Sequence, residues 1–252
     1  MKAIIIGAGR GQRLMPHTEN APKCFAEVGG RRILDWAIES LHAGGLTDIV
    51  FIAGYQFDLV KSTYPHFTFC HNWDWANNNI LESLMHAEEY MDEGFVCAYA
   101  DILYRPEIIR DLVKSPHPIT LVSDTDWRSR YIHRSDHPED DGEKIALTNG
   151  STRIAAINRT MPSDHAHGEY IGVARFLPEA ARQLRDHYHR AKAHHGDGPF
   201  RAAKHFRKAY LIDLFQEMID NGIEMHALAT HGGYMEIDTN QDFHLARKEW
   251  SQ

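Results

Sequence analysis

MKAIIIGAGRGQRLMPHTENAPK, residues 1–23, is the stretch on which the fold turns. Residues 2–6 are a short, mostly β-branched apolar run of strand length, and they lead directly into a loop with glycine at 7, 9 and 11. Glycine tolerates positive φ and leaves its backbone N–H bare. Gly7, Ala8, Gly9, Arg10 and Gly11 can therefore wrap closely around phosphate oxygens. Arg10, Arg13 and Lys23 add cations, the guanidinium suited to bidentate phosphate contact and the ammonium to a point charge. The loop reads as a triphosphate cradle at the end of a first strand.

Two other phosphate-binding patterns fail on the same residues. The sixth position of a GxGxxG fingerprint is Gln12, and the second strand run, DIVFIAG at 48–54, ends without an acidic residue for a ribose hydroxyl. A Walker A sequence is absent. Working outward, KAIII (2–6), ILDWAIESLHAGG (33–45) and DIVFIAG form a strand–helix–strand unit, which requires a parallel sheet. A strand at 66–70, a helix over 80–91, and strands at 95–100 and 119–124 extend it. The strand FVCAYA closes on Asp101, and ligands gather outside the carboxyl ends of such strands. The short alternating runs 144–149, 153–158 and 169–176 predict an antiparallel insertion or lid. Helices at 178–194 and 207–221, strands at 224–227 and 234–238, and a helix from Asn240 complete the chain. The expected fold is α/β, a Rossmann-like doubly wound mixed sheet in a single domain with a small antiparallel lid. Residues 1–126 are expected to form its doubly wound half, 127–178 the insertion, and 179–252 the closing helices and last strand.

Composition sets outer limits. The net charge is -8, from 27 Lys plus Arg against 35 Asp plus Glu, and no basic patch breaks it, which disfavours nucleic acid. No apolar run approaches a membrane span, so a cytoplasmic protein with no membrane partner is expected. The three cysteines lack a CxxC pattern and predict reduced thiols. Among the 18 histidines, His133 and His137 stand at helical spacing, and His165/His167, His187/His189 and His194/His195 recur nearby. Polar surroundings without a Cys or carboxylate set at ligand spacing argue against a histidine metal site.

Gly9-x-Gly11-x-Arg13-Leu14 with Pro16, Thr18 and Pro22-Lys23 resembles the signature of the nucleotidyltransferases that activate sugar phosphates and phosphocholine. VGGRRILDWAIESL resembles their next segment, and the likeness runs through Asp101 to the EID-T-x-x-D of 236–242, covering essentially the whole chain. One departure is Gly7, where the family usually has Ala. The resemblance implies that Lys23 neutralises α-phosphate charge in the transition state, with Arg13 assisting, and that Asp101 and Asp238 hold Mg2+, a hard cation preferring oxygen. Asp238 has a competing role as N-cap of the last helix, although Thr239 or Asn240 can cap instead.

The Gln/Pro/Gly-rich base- and sugar-reading segment of sugar-activating members is missing. HNWDWANNNILESL (71–84) stands there and resembles phosphocholine-type cytidylyltransferases, leaving Asn78 and Asn79 either to cap the following helix or to contact ligand. Residues 124–145 and 168–176 resemble the same subgroup. Trp127 and Tyr131 could stack on a quaternary ammonium, while Asp126, Glu143 and Glu169 could balance a cationic amine. The resemblance thus implies transfer of CMP from CTP to phosphocholine, an aminoethylphosphonate-like phosphonate or phosphoglutamine, with pyrophosphate released, by a monomer or weak homodimer serving surface polysaccharide or lipid decoration. A sugar-1-phosphate thymidylyl- or uridylyltransferase and a catalytically silent nucleotide-sensing subunit are the alternatives.

Overall fold

The computed structural model describes residues 1–132 and 134–250. Strand β1 (Lys2–Gly7) occupies the middle of the main sheet because Ala3 to Ile6 are all apolar, so both of its faces can be buried. Ile4 and Ile6 point into one layer, Ala3 and Ile5 into the other. A hairpin of β2 (Glu27–Val28) and β3 (Arg31–Arg32) precedes α1 (Ile33–Ala43), which buries Leu34, Ala37 and Leu41 and stops at Gly44. Then come β4 (Ile49–Ala53), α2 (Phe57–Thr63), β5 (Thr68–His71), α3 (Ile80–Met85) and β6 (Phe95–Tyr99). β5, β4, β1 and β6 lie side by side and parallel, which is the doubly wound half read from the sequence.

Beyond β6 the sheet becomes mixed. β7 (Ile102–Tyr104), α4 (Pro106–Lys114), β8 (Ile119–Asp124), α5 (Trp127–Tyr131), β9 (Lys144–Leu147), β10 (Ile154–Asn158) and β11 (Gly168–Phe176) follow in order. β9 and β10 form an antiparallel arm, as expected. β11 does not belong to a lid: it runs antiparallel between β6 and β8, and all nine of its residues are buried. α6 (Pro178–His195), α7 (Leu211–Asp220), β12 (His226–Thr230), β13 (Tyr234–Glu236) and α8 (Asn240–Glu249) complete the chain, with β12 parallel to β8 and β13 antiparallel to β7. Among the described residues no helix is long and apolar enough to cross a membrane.

Several boundaries differ from the sequence reading. The helix expected over 80–91 ends at Met85, and a separate 3-10 turn covers Glu88–Tyr90. α7 begins at Leu211, not 207, after a 3-10 turn at Phe206–Lys208, and the strand expected at 224–227 is shifted to His226–Thr230. Helix α4 was not anticipated, although Pro106 at its first turn and Ile108, Ile109 and Leu112 on one face suit it.

A third, smaller core connects the C-terminus to the loop. Leu14, Val28, Ile33, Leu103, Phe243 and Trp250 are buried together. At about 1.5–3 kcal/mol for each large apolar side chain removed from water, this cluster fixes the glycine loop from beneath. It also carries the end of β13 to the loop's open side.

Candidate active site

The loop after β1 is built around one glycine. Gly11 has φ +70°, and a Cβ there would lie 2.8 Å from the Lys23 side chain, so only glycine lets the lysine pass over it. Gly7 and Gly9 do not take up positive φ, contrary to the expectation for all three; Gly9 instead stands exposed with nothing near its missing side chain. Thr18 Oγ1 donates to the Gly11 carbonyl at 2.9 Å, and the Tyr55 hydroxyl donates to Glu19 O at 2.6 Å, closing the loop on itself. Arg10 is not where the sequence reading put it. Its guanidinium lies over the Tyr55 ring, 5.2 Å from the centroid, and it does not line the cavity described below.

Lys23 is the centre of the charge arrangement. Only 7 % exposed, it donates from Nζ to Asp101 Oδ2 at 2.7 Å and also to Asp238 Oδ1. Burial works to lower its pKa, but Asp101, Asp238 and Glu236 outweigh it and hold the ammonium well above the usual lysine value. Asp238 is correspondingly drawn down to about 2, against the effect of its burial, chiefly by Lys23 and Arg13. Arg13, 53 % exposed at its side chain, pairs with Asp238 and reaches Asp141 at 3.5 Å. Asp101 follows β6 by two residues and Asp238 follows β13 by two, so the small β7–β13 pairing carries the second carboxylate to the first. Asp238 is free for this role because Thr239 caps α8: its hydroxyl accepts from Asp242 N at 3.2 Å, while Asp242 accepts from Thr239 N at 2.9 Å.

Glu236, which the sequence reading did not single out, is the third carboxylate here. Its acidity is suppressed, first by burial and then by the charges of Asp238 and Asp101, so the site takes on a third negative charge only when further positive charge arrives. Three carboxyl groups, one of which ionises only when more positive charge is supplied, fit a divalent cation such as Mg2+. His137 joins Glu236 and Asp238 in a group whose ligand atoms lie within 4.8 Å of one another. His137 thus stands beside these carboxylates although the sequence reading expected no histidine metal site, while His133 lies outside the described residues.

These groups open onto one cavity of about 600 Å³. Gly7, Ala8, Gly9, Gly11, Arg13 and Lys23 line one end. Along the side, Asn78 and buried Asn72 exchange amide hydrogen bonds at 2.8 and 2.9 Å. Asn79 also lines the cavity but caps α3, accepting from Ile80 N at 2.9 Å and donating to Lys208 O at 3.0 Å. Glu169, Glu143, Arg159, Tyr99 and Tyr210 line the rest of the wall, and Asp141 links Arg159 to Arg13. Glu169 is 4 % exposed and accepts from Arg130 and from the Tyr131 hydroxyl at 2.5 Å.

Three expected acceptor contacts fail. Trp127, 2 % exposed, packs edge-on against Tyr131, and neither ring lines the cavity. Tyr131 acts behind the wall, through Glu169. Asp126 does not reach the cavity either and precedes α5. Arg159, Tyr210 and Tyr99 were missed because they come from just after β10, just before α7 and the end of β6, and no local spacing marks them as neighbours. The signal for Glu236 was present in the run YMEID, where it lies two residues before Asp238 and so on the same side of an extended chain.

A glycine loop over a buried lysine, two carboxylates brought from separate strands and an adjoining polar cavity are what nucleotidyl transfer demands, and the protein is a nucleotidyltransferase. It belongs to the MobA-like NTP transferase domain family, which it matches over residues 3–191. It is 26% identical over 254 residues to CTP:phosphoglutamine cytidylyltransferase of Campylobacter jejuni, covering 97% of this chain and 98% of that one. Over 120 residues, 46% of this chain and 52% of the other, it is 35% identical to choline-phosphate cytidylyltransferase of Streptococcus pneumoniae. The solved CTP:phosphocholine cytidylyltransferase from Streptococcus pneumoniae shares the fold with a TM-score of 0.75 at 24% identity, over 98% of each chain.

Proposed function

We propose that the protein transfers CMP from CTP to a small phosphorylated acceptor, giving a CDP-linked product and pyrophosphate. The observation that carries this reading is the Lys23 ammonium held between Asp101 and Asp238 beside the bare backbone of the glycine loop. The similarity to two CTP-using enzymes supports cytidine as the base. A phosphate monoester has a second pKa near about 6, so the acceptor presents an anionic oxygen at neutral pH and needs no dedicated base. Catalysis is then positioning and charge neutralisation. Lys23 meets the charge that develops on the α-phosphate, Arg13 the phosphate oxygens nearer solvent, and the Asn72–Asn78 pair fixes the cavity wall beside the base.

Asp101, Asp238 and Glu236 would hold Mg2+, which when bound supplies divalent charge to the phosphate oxygens. The cavity end with Glu143, Arg159 and Glu169 receives the acceptor. The net charge of -8 supports small-molecule partners rather than nucleic acid, and action in the cytoplasm as a monomer or weak homodimer, upstream of surface-glycan decoration, fits that reading. The test is pyrophosphate release with each of the four NTPs, Mg2+ and a panel of phosphorylated amines, amino acids and sugars. Turnover with CTP and an amine or amino-acid phosphate is expected. Turnover only with UTP or dTTP and a sugar 1-phosphate, or none with any pair, would overturn the reading.

A further inference from the structure

The far end of the cavity is poorly suited to a quaternary ammonium. Such a group needs a cage of open aromatic faces, and two of the lining rings carry guanidinium groups already: Arg159 over Tyr210 at 4.8 Å and Arg130 over Tyr234 at 4.6 Å. Behind the wall, Arg134 lies over Tyr131 at 5.0 Å and Arg128 over Trp127 at 5.5 Å. Tyr99 is covered by backbone. Gly172 has φ +79°, falls where the register of β11 shifts against β8, and a Cβ there would lie 2.4 Å from the Tyr99 ring.

What this end offers instead is one acid and one base held side by side. Lys144 faces Asn158 in the β9–β10 pairing, which places Glu143 and Arg159 next to each other just beyond the ladder, and Lys144 Nζ donates to Arg159 O at 2.8 Å to fix the corner. Both side chains line the cavity. Glu143 accepts from the Tyr99 hydroxyl at 3.3 Å, and among the described residues no ion pair to it forms. Burial lifts its carboxyl to about 8, against the opposing effects of Arg159 and Tyr99, so it stands ready to gain a cation. Arg159 gives one Nη to Asp141 while its plane rests on Tyr210, leaving further guanidinium N–H groups that a carboxylate can share. Glu169, the remaining acid, is already satisfied by Arg130 and Tyr131.

We propose that the acceptor bears a primary ammonium and a carboxylate on its head, an amino-acid phosphate, with Glu143 receiving the ammonium and Arg159 the carboxylate. This rests on the cytidylyltransferase reading of the same cavity. The two groups are specificity-determining, since they touch the acceptor away from its reacting oxygen.

The experiment uses matched pairs that differ only by the carboxylate: O-phosphoserine against phosphoethanolamine, and O-phosphohomoserine against 3-aminopropyl phosphate, with phosphocholine as the quaternary probe. In each pair the wild-type kcat/KM with CTP and Mg2+ is expected to be at least ~10-fold higher for the carboxylate-bearing member, as for a charged partner otherwise left unmatched. Arg159→Met should collapse that ratio through KM, and Arg159→Lys should restore part of it. Glu143→Gln should weaken all primary-amine acceptors and narrow their advantage over phosphocholine. Preference for phosphocholine, or an Arg159→Met loss equal across every acceptor, would overturn the proposal and leave the cytidylyltransferase reading intact. If CTP fails to bind in calorimetry and no acceptor yields pyrophosphate, the underlying reading fails instead.

Discussion

The two ends of the cavity hold charge in opposite ways. At the phosphate end each charged group is matched before any ligand arrives: Lys23 lies against Asp101 and Asp238, and Arg13 against Asp238. A triphosphate with its cation replaces those partners one for one, so this end is preorganised for a generic, highly charged guest. At the acceptor end the arrangement is less balanced. Glu143 has only a tyrosine hydroxyl, and Arg159 shares Asp141. An unmatched buried acid is costly unless a guest supplies its partner, which makes this end selective rather than merely attractive. Chemistry is thus placed where charge is satisfied, and discrimination where it is not.

The sharpest way to break this comparison is Lys23→Met. Removing a buried cation aimed at the reacting phosphate should lower kcat by roughly 10²–10³-fold, read by single-turnover CMP transfer, with a much smaller change in acceptor KM. An equal loss in acceptor KM would show that the two ends are not separable. Asp238→Asn comes next: activity at limiting Mg2+ should fall about 10–100-fold and recover in part as Mg2+ is raised, as for loss of a ligand carboxylate. Glu169→Gln should raise acceptor KM by about tenfold while leaving CTP affinity, measured by calorimetry, near its original value. Glu169 holds Arg130 and Tyr131, so the effect is expected first at the acceptor side of the cavity.

A fourth test uses pH. Burial lifts the Glu143 carboxyl to about 8 in the folded protein against an ordinary 4.5, with Arg159, Tyr99, Glu169 and Asp213 facing it. Because the folded value is raised, the stability associated with its protonated form is complete below the unfolded value and is lost as pH rises through the folded one. Urea midpoints should therefore decline between about pH 5 and pH 9, and Glu143→Gln should flatten that decline. A slope unaltered by the substitution would remove Glu143 as the unmatched group. The smallest expected effect on activity is that of Trp127→Phe: kcat/KM changes by less than about twofold, while stability drops by roughly 1–3 kcal/mol, the ordinary cost of a core vacancy. A selective loss of acceptor binding would instead return Trp127 to the cavity wall.

The phosphate end was legible because its parts are contiguous or end-marked. Residues 7–23 form one loop, and Asp101 announces itself by following the strongest strand run in the chain. The strand–helix alternation of residues 2–54 likewise fixed the parallel half, since a strand buried on both faces must be apolar throughout. The acceptor end resisted for a different reason. Trp127 and Tyr131 have the composition of a binding cage, yet side-chain type does not reveal which way a short helix faces, and α5 turns both rings inward.

Sequence alone determined the glycine loop and the doubly wound order, which depend on local backbone freedom and on period-2 and helical patterning within a few residues, and the family resemblance singled out Lys23, Asp101 and Asp238, which the fold brings together. Tertiary structure alone decided that β11 crosses the centre of the sheet, that Glu236 and His137 join Asp238, and that Glu143 and Arg159 stand together with their aromatic neighbours already covered. Those outcomes depend on register between strands far apart in the chain, and on competition among side chains for the same partners, neither of which any single stretch of residues encodes.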